Sequence, residues 1–139
     1  MRSRLNSIDS NLQIMKFNTL TSISPIDGRY GDKTSDLKEI FSEFGLIKYR
    51  VLVEVRWLQA MSENAQISEV GKFDEATNKF LNAIVDGFSL EDAEAVKTIE
   101  RTTNHDVKAV EYFLKDKIIG NAALERVSEF IHFACTSED

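Results

Sequence analysis

One cysteine, one proline and six glycines make this 139-residue sequence poor in the residues that most constrain a backbone. Cys135 has no second cysteine to pair with, so an intrachain disulfide is excluded and a reducing compartment is the simplest setting. Apolar runs long enough to span a bilayer are missing, and Arg2 and Arg4 are not followed by the apolar stretch of a secretory signal. The expected location is therefore the cytoplasm. A basic excess is missing too: the formal charge of -6 argues against a general nucleic-acid or membrane-surface partner, while leaving room for a local basic pocket. There is no glycine-rich phosphate loop, no internal repeat and no low-complexity segment. Pro25 is the only proline, so the strongest helix breaker is absent from Ile26 onward and long helices become the default.

What is present fits a globular domain. A composition 42% hydrophobic and 29% charged is ordinary for a soluble protein, and a chain of this length buries roughly two thirds of its unfolded surface, enough for a core without staples. Residues 1–16 show no period and read as a flexible N-terminal extension, with Met15 as an alternative start, ahead of a helical domain over 17–139. Residues 22–32 hold Pro25, Gly28 and Gly31 and read as a loop exposing the pair Arg29 and Tyr30. Thr34 or Ser35 can cap a first helix with Leu37, Ile40, Phe41 and Phe44 on one face and Gly45 at its end. A second helix follows over about 46–63, with Ile47, Val51, Val55 and Leu58 on a stripe. Val51, Val53, Val55 and Trp57 also alternate as in a strand, but the pattern outruns a typical strand length. Gly71 interrupts, and Phe73, Thr77, Phe80, Leu81, Ile84 and Phe88 mark a third helix. Ser89 and Asp92 have the spacing of a capping box that opens a fourth, carrying Ala93, Val96 and Ile99. A fifth spans 106–118, and Leu124, Val127, Phe130 or Ile131, and Ala134 mark a sixth. Thr136 and Ser137, ahead of Glu138 and Asp139, have the composition of another first turn, so the chain is expected to stop where a helix begins.

The stretch most suggestive of function runs from Arg101 to Asp106. Thr103, Asn104 and Asp106 can each accept a hydrogen bond from a first-turn amide, so a helix is expected to start there. Its unpaired N–H groups and partial positive charge, with His105 beside them, would suit an anionic substrate. In the alternative reading Asn104 and Asp106 are caps only and His105 an exposed first-turn residue. His132 and Cys135 lie three apart, which invites nucleophilic or metal chemistry; two ligands fall short of a zinc site, and the plainer reading is a core histidine held by a backbone partner beside a small buried thiol.

Pro25, Asp27, Gly28, Arg29 and Tyr30 within residues 24–30, the run Arg101, Thr102, Thr103, Asn104, His105 and Asp106 within 99–112, and His132, Phe133, Thr136 and Ser137 within 127–139 occur in an order that closely resembles the N-terminal part of the bacterial adenylosuccinate lyases, a family of the fumarase and aspartase superfamily. The match runs from about Leu20 to Asp139, with Ile26 where valine is frequent. The resemblance implies an all-α fold: the N-terminal helical domain of the superfamily, truncated at the start of the central helical bundle, with the bundle and C-terminal domain further along. It implies a homotetramer whose sites are lined by three chains. It also implies β-elimination of fumarate from adenylosuccinate and from succinylaminocarboxamide ribotide in purine nucleotide biosynthesis, with no cofactor and no metal. Carried over position by position, Arg29, Tyr30, Asn104, His105, Asp106, Thr136 and Ser137 bind the nucleotide substrate. None is catalytic, because the family's general-acid histidine and serine base lie beyond Asp139, and this chain alone is expected to be inactive. Two other readings fit the same residues: a non-catalytic helical domain that keeps oligomerisation or ligand contacts, and a related lyase acting on another succinyl compound.

Overall fold

The computed structural model describes residues 18–136, which fall into two compact units divided between Lys38 and Glu39. The extension expected over residues 1–16, Met15 and Ser137 lie outside the described residues. Among those described every regular element is helical, no strand occurs, and no helix is long and apolar enough to cross a membrane.

In the first unit, residues 18–38 wind through consecutive turns. The amide of Gly28 donates to the Ser24 carbonyl at 3.0 Å and that of Tyr30 to the Pro25 carbonyl at 2.9 Å. Gly28 is buried, and a Cβ there would sit 2.7 Å from the Thr19 carbonyl oxygen, so the turns close only around a residue without a side chain. A 3-10 turn, Ser35–Leu37, follows.

The short α1 (Lys38–Phe41) begins at the boundary between the units, and the second unit is built on four helices, α2 (Glu43–Glu63), α3 (Glu75–Asp86), α4 (Leu90–Thr103) and α5 (Asp106–Lys117), followed by the short α6 (Ala122–Glu125). The long α2 packs against α3, α4 and α5, and α4 pairs most extensively with α5. The expected stripe is its buried face: Ile47, Val51, Val55 and Leu58 are at most 3% exposed, each contributing on the order of 2 kcal/mol by leaving water. Val53 and Trp57 stay exposed, which removes the strand alternative. Opposite lie Leu81 of α3, Val96 of α4, and Val110, Phe113 and Leu114 of α5. Phe88 stacks edge-on against Phe113 with centroids 5.9 Å apart. The Ser89–Asp92 capping box is present, the Ser89 hydroxyl accepting the Asp92 amide and the Asp92 carboxylate accepting the Ser89 amide.

Three expectations are corrected. The first helix is not a long amphipathic one ending at Gly45: α1 is four residues, and Leu37, Ile40 and Phe41 are 49%, 49% and 80% exposed. Ser42 interrupts the run, its hydroxyl accepting the Gly45 amide at 3.2 Å, so Gly45 lies in the first turn of α2. There it permits close approach, since a Cβ would stand 2.6 Å from the Ile40 carbonyl oxygen.

The sixth helix ends at Glu125, followed by a 3-10 turn, Ser128–Phe130, and a bend with left-handed backbone at His132 and Ala134. Val127 and Ile131 are still buried, but bonds from α2 draw the following backbone out of helical register. The third correction concerns the cap of α5. Asn104 closes α4, with φ 52° and its amide donating to the Glu100 carbonyl at 2.7 Å. Its short amide side chain tolerates the left-handed region, and the cap role passes to His105, whose Nδ1 accepts the Lys108 amide at 3.1 Å.

Candidate functional site

The two-residue connection between α4 and α5 opens onto a pocket of about 580 Å³. Glu43 and Leu46 from the first turn of α2, Lys97, Glu100 and Arg101 from the last turns of α4, and Asn104, His105 and Asp106 form its wall. Asn104, His105 and Asp106, all marked in the sequence, thus meet at one place. Lys97, Glu100, Arg101 and Asn104 follow helical spacing along α4, so the extension of the pocket could have been read once the helix was assigned.

The helix start does not offer its free amides to a ligand as expected. Asp106 turns back so that Oδ1 accepts the Val107 amide at 2.9 Å, and His105 takes that of Lys108. Short side chains at a first turn satisfy the donors themselves. Because Nδ1 of His105 accepts a hydrogen bond, the neutral ring carries its proton on Nε2; the 3.7 Å separation from Asp106 is then a contact between two acceptors. The donors this pocket can offer are therefore side chains: the Nε2–H of His105, the Asn104 amide and the cations of α4.

Arg50 of α2 reaches Asp106 with a 2.7 Å ion pair, its own side chain only 15% exposed. Burial works against the Asp106 carboxylate, but the Val107 amide and the Arg50 guanidinium outweigh it and hold its pKa below the usual carboxylate value. Lys97 bridges Glu100 at 2.6 Å and Glu43 at 3.0 Å, and these two carboxylates, Glu100 foremost, raise its pKa. Arg101 donates to the Thr98 hydroxyl at 2.9 Å.

Arg29 and Tyr30 belong to the first unit. Both are exposed, and the Arg29 guanidinium lies 4.7 Å from the Tyr30 ring centroid, within cation–π range. Thr136 is exposed just beyond the bend at 132–134.

His132 is not held by a backbone partner. The buried Glu54 of α2 accepts the His132 amide through Oε2 at 2.9 Å and the ring Nδ1–H through Oε1 at 2.5 Å. Trp57, on the next turn, donates its indole N–H to the Phe133 carbonyl at 2.8 Å. Glu54, hidden in a valine-rich stretch, carried no signal in the sequence. Glu54, His132 and Cys135 place one potential ligand atom each within 4.8 Å of one another, the one group of three among the described residues that could meet a metal ion. Both carboxylate oxygens already hold His132, and a zinc site would need a fourth donor.

The family described as "Lyase" matches residues 28–139. The chain belongs to the lyase family. It is 62% identical over 125 residues to the adenylosuccinate lyases of Haemophilus influenzae and of Escherichia coli K12, and 49% identical to that of Legionella pneumophila strain Philadelphia 1. Each match covers 90% of this chain and 27% of the relative, so the chain spans about a quarter of the length of the curated relatives it matches.

Proposed function

We propose that this chain is the N-terminal helical segment, over residues 17–139, of an adenylosuccinate lyase that eliminates fumarate from adenylosuccinate and succinylaminocarboxamide ribotide in purine nucleotide biosynthesis. The observation that carries the reading is the 62% identity over 125 residues, a span that includes the pocket-lining residues of the α4–α5 turn. In this reading the enzyme is a cytoplasmic homotetramer without cofactor, and its partner is the small nucleotide substrate.

The chemistry suits the residues. Adenylosuccinate brings a phosphate and two carboxylates, and His105 Nε2–H, the Asn104 amide, the Arg29 guanidinium and the hydroxyls of Tyr30, Thr136 and Ser137 are donors for such groups. Asp106, fixed by Arg50, accepts rather than donates, and suits a hydroxyl or amine of the nucleotide. Elimination needs a base to take the proton beside a carboxylate and an acid to protonate the departing nitrogen as the C–N bond breaks. With Nδ1 engaged in capping α5, His105 serves as a binding group and does neither. Resemblance assigns the acid and base to segments after Asp139. The test follows fumarate release from adenylosuccinate by the complete protein carrying this segment; absence of turnover with adenylosuccinate, beside turnover with another succinyl compound, would transfer the assignment to the related lyase.

A further inference from the structure

The bend after α6 is unfavourable in itself and is held from outside. Left-handed φ values of 62° at His132 and 61° at Ala134 fall on residues with a Cβ, a conformation that persists only where its surroundings enforce it. Here the surroundings are two neighbouring turns of α2: Glu54 grips His132 by its backbone and ring N–H together, and Trp57 holds the Phe133 carbonyl. Glu54 is 6% exposed and sits beside Val55, one turn from Val51 and Leu58. An apolar side chain would fill that space without desolvating a charge, so packing does not explain a carboxylate at position 54. Its two oxygens accept two protons of one residue, which specifies both the backbone direction at His132 and the tautomer of its ring.

We propose that Glu54 is a positioning residue of the lyase: through His132 it holds the 132–134 bend in the one register that presents Thr136 to substrate. This rests on the reading that Thr136 contacts the nucleotide.

The experiment compares Glu54→Ala, Glu54→Gln and Trp57→Phe in the complete enzyme, measuring KM and kcat for adenylosuccinate. Misplacement of a binding group should raise KM about tenfold or more in Glu54→Ala. A merely structural role would reduce the amount of active enzyme, lowering apparent kcat and leaving KM where it was. The Glu54→Gln carbonyl still accepts the His132 amide, and its NH₂ donates to Nδ1 once the ring carries its proton on Nε2 instead, so KM should return to within about threefold of the parent. Trp57 is partly exposed and Trp57→Phe loses one donor, so a smaller rise in KM, about two- to fivefold, is expected. That variant decides the matter if Glu54→Ala does not fold. Folded Glu54→Ala with KM within about twofold of the parent would overturn the proposal, as would Glu54→Gln as impaired as Glu54→Ala, or, in the absence of folded Glu54→Ala, Trp57→Phe with unchanged KM. Failure of the parent enzyme to release fumarate refutes the assigned reaction and this role with it; normal parent turnover with unmoved variants refutes the role alone.

Discussion

Replacing Gly45 by alanine should destabilise the second unit, although the same exchange in an unobstructed helix is favourable. Alanine gains about 0.8–1.0 kcal/mol over glycine in a helix interior. At Gly45, however, the added Cβ would stand 2.6 and 2.7 Å from the carbonyl oxygen and carbon of Ile40 and 2.8 Å from the Glu39 carbonyl oxygen. All three atoms are backbone, so no rotamer change relieves the contact, and overpacking of this kind costs about 2–3 kcal/mol. The net loss is then about 1–2 kcal/mol, a fall in Tm of roughly 5–10 °C for a unit of roughly a hundred residues. Thermal melting of the 139-residue chain and its Gly45→Ala variant, followed by circular dichroism, reads this directly. A midpoint equal to or above the parent's would refute the close-approach argument and return Gly45 to an ordinary helical position. The result bears on the site as well, because Glu43 and Leu46 of the same turn line the pocket.

Arg50→Ala should cost about 1 kcal/mol, below the usual value for a charged hydrogen bond because Asp106 is nearly half exposed, and should let the Asp106 carboxylate titrate nearer its ordinary pKa, as seen in denaturant titrations at several pH values. Acid should weaken the second unit. Burial opposes ionisation of Asp92, Asp106 and Glu111, yet cationic and N–H partners hold all three below their ordinary values of 3.8, 3.8 and 4.5, so the stabilisation is complete above those values and lost as pH falls through the lower folded ones. A melting midpoint unchanged between neutral pH and pH about 3 would contradict the ion pairs of Glu111 with Lys108 and Lys115. In the complete enzyme Arg29→Ala should weaken substrate binding by about 1.5–3 kcal/mol, and an unaltered dissociation constant would remove Arg29 from the site. If the proposed reading is right in assigning the acid and base to segments after Asp139, the 139-residue chain alone should release no fumarate from adenylosuccinate, each of those groups accounting for roughly 10²–10⁴ in rate; turnover above the uncatalysed rate would make His105 the first group to re-examine.

The helices were legible where one residue type had one job. Ile47, Val51, Val55 and Leu58 repeat at helical spacing because the face they form has a single fate, and burial followed. Ser89 and Asp92 announced their capping box because hydroxyl and carboxylate at that spacing have few other uses near a helix start. Gly45 misled because glycine has two uses, ending a helix or admitting a neighbouring backbone, and local spacing does not distinguish them. The sixth helix misled for a longer-range reason. Leu124, Val127 and Ile131 do point inward at the expected intervals, but the bend that follows is set by Glu54 and Trp57, many residues earlier in the chain.

At the α4–α5 turn the right residues were visible with their duties exchanged, and the exchange changes the chemistry. Had Asn104 or Asp106 capped α5, the ring of His105 would have both nitrogens for a ligand and the first amides would be shared with it. Asn104 instead takes the left-handed position that ends α4, which obliges the next residue to cap α5, and His105 does so with Nδ1. The ring then presents a single defined donor, Nε2–H, while Asp106 closes the Val107 amide and answers to Arg50. In the proposed reading charge recognition passes from the helix end to side chains, and α2 braces two of the segments involved: Arg50 pairs with Asp106 in the pocket wall, and one turn further Glu54 holds the bend ahead of Thr136. In the proposed reading α2 thus braces both segments from outside the substrate, and substitution of Glu54 should act on substrate affinity through the bend it holds.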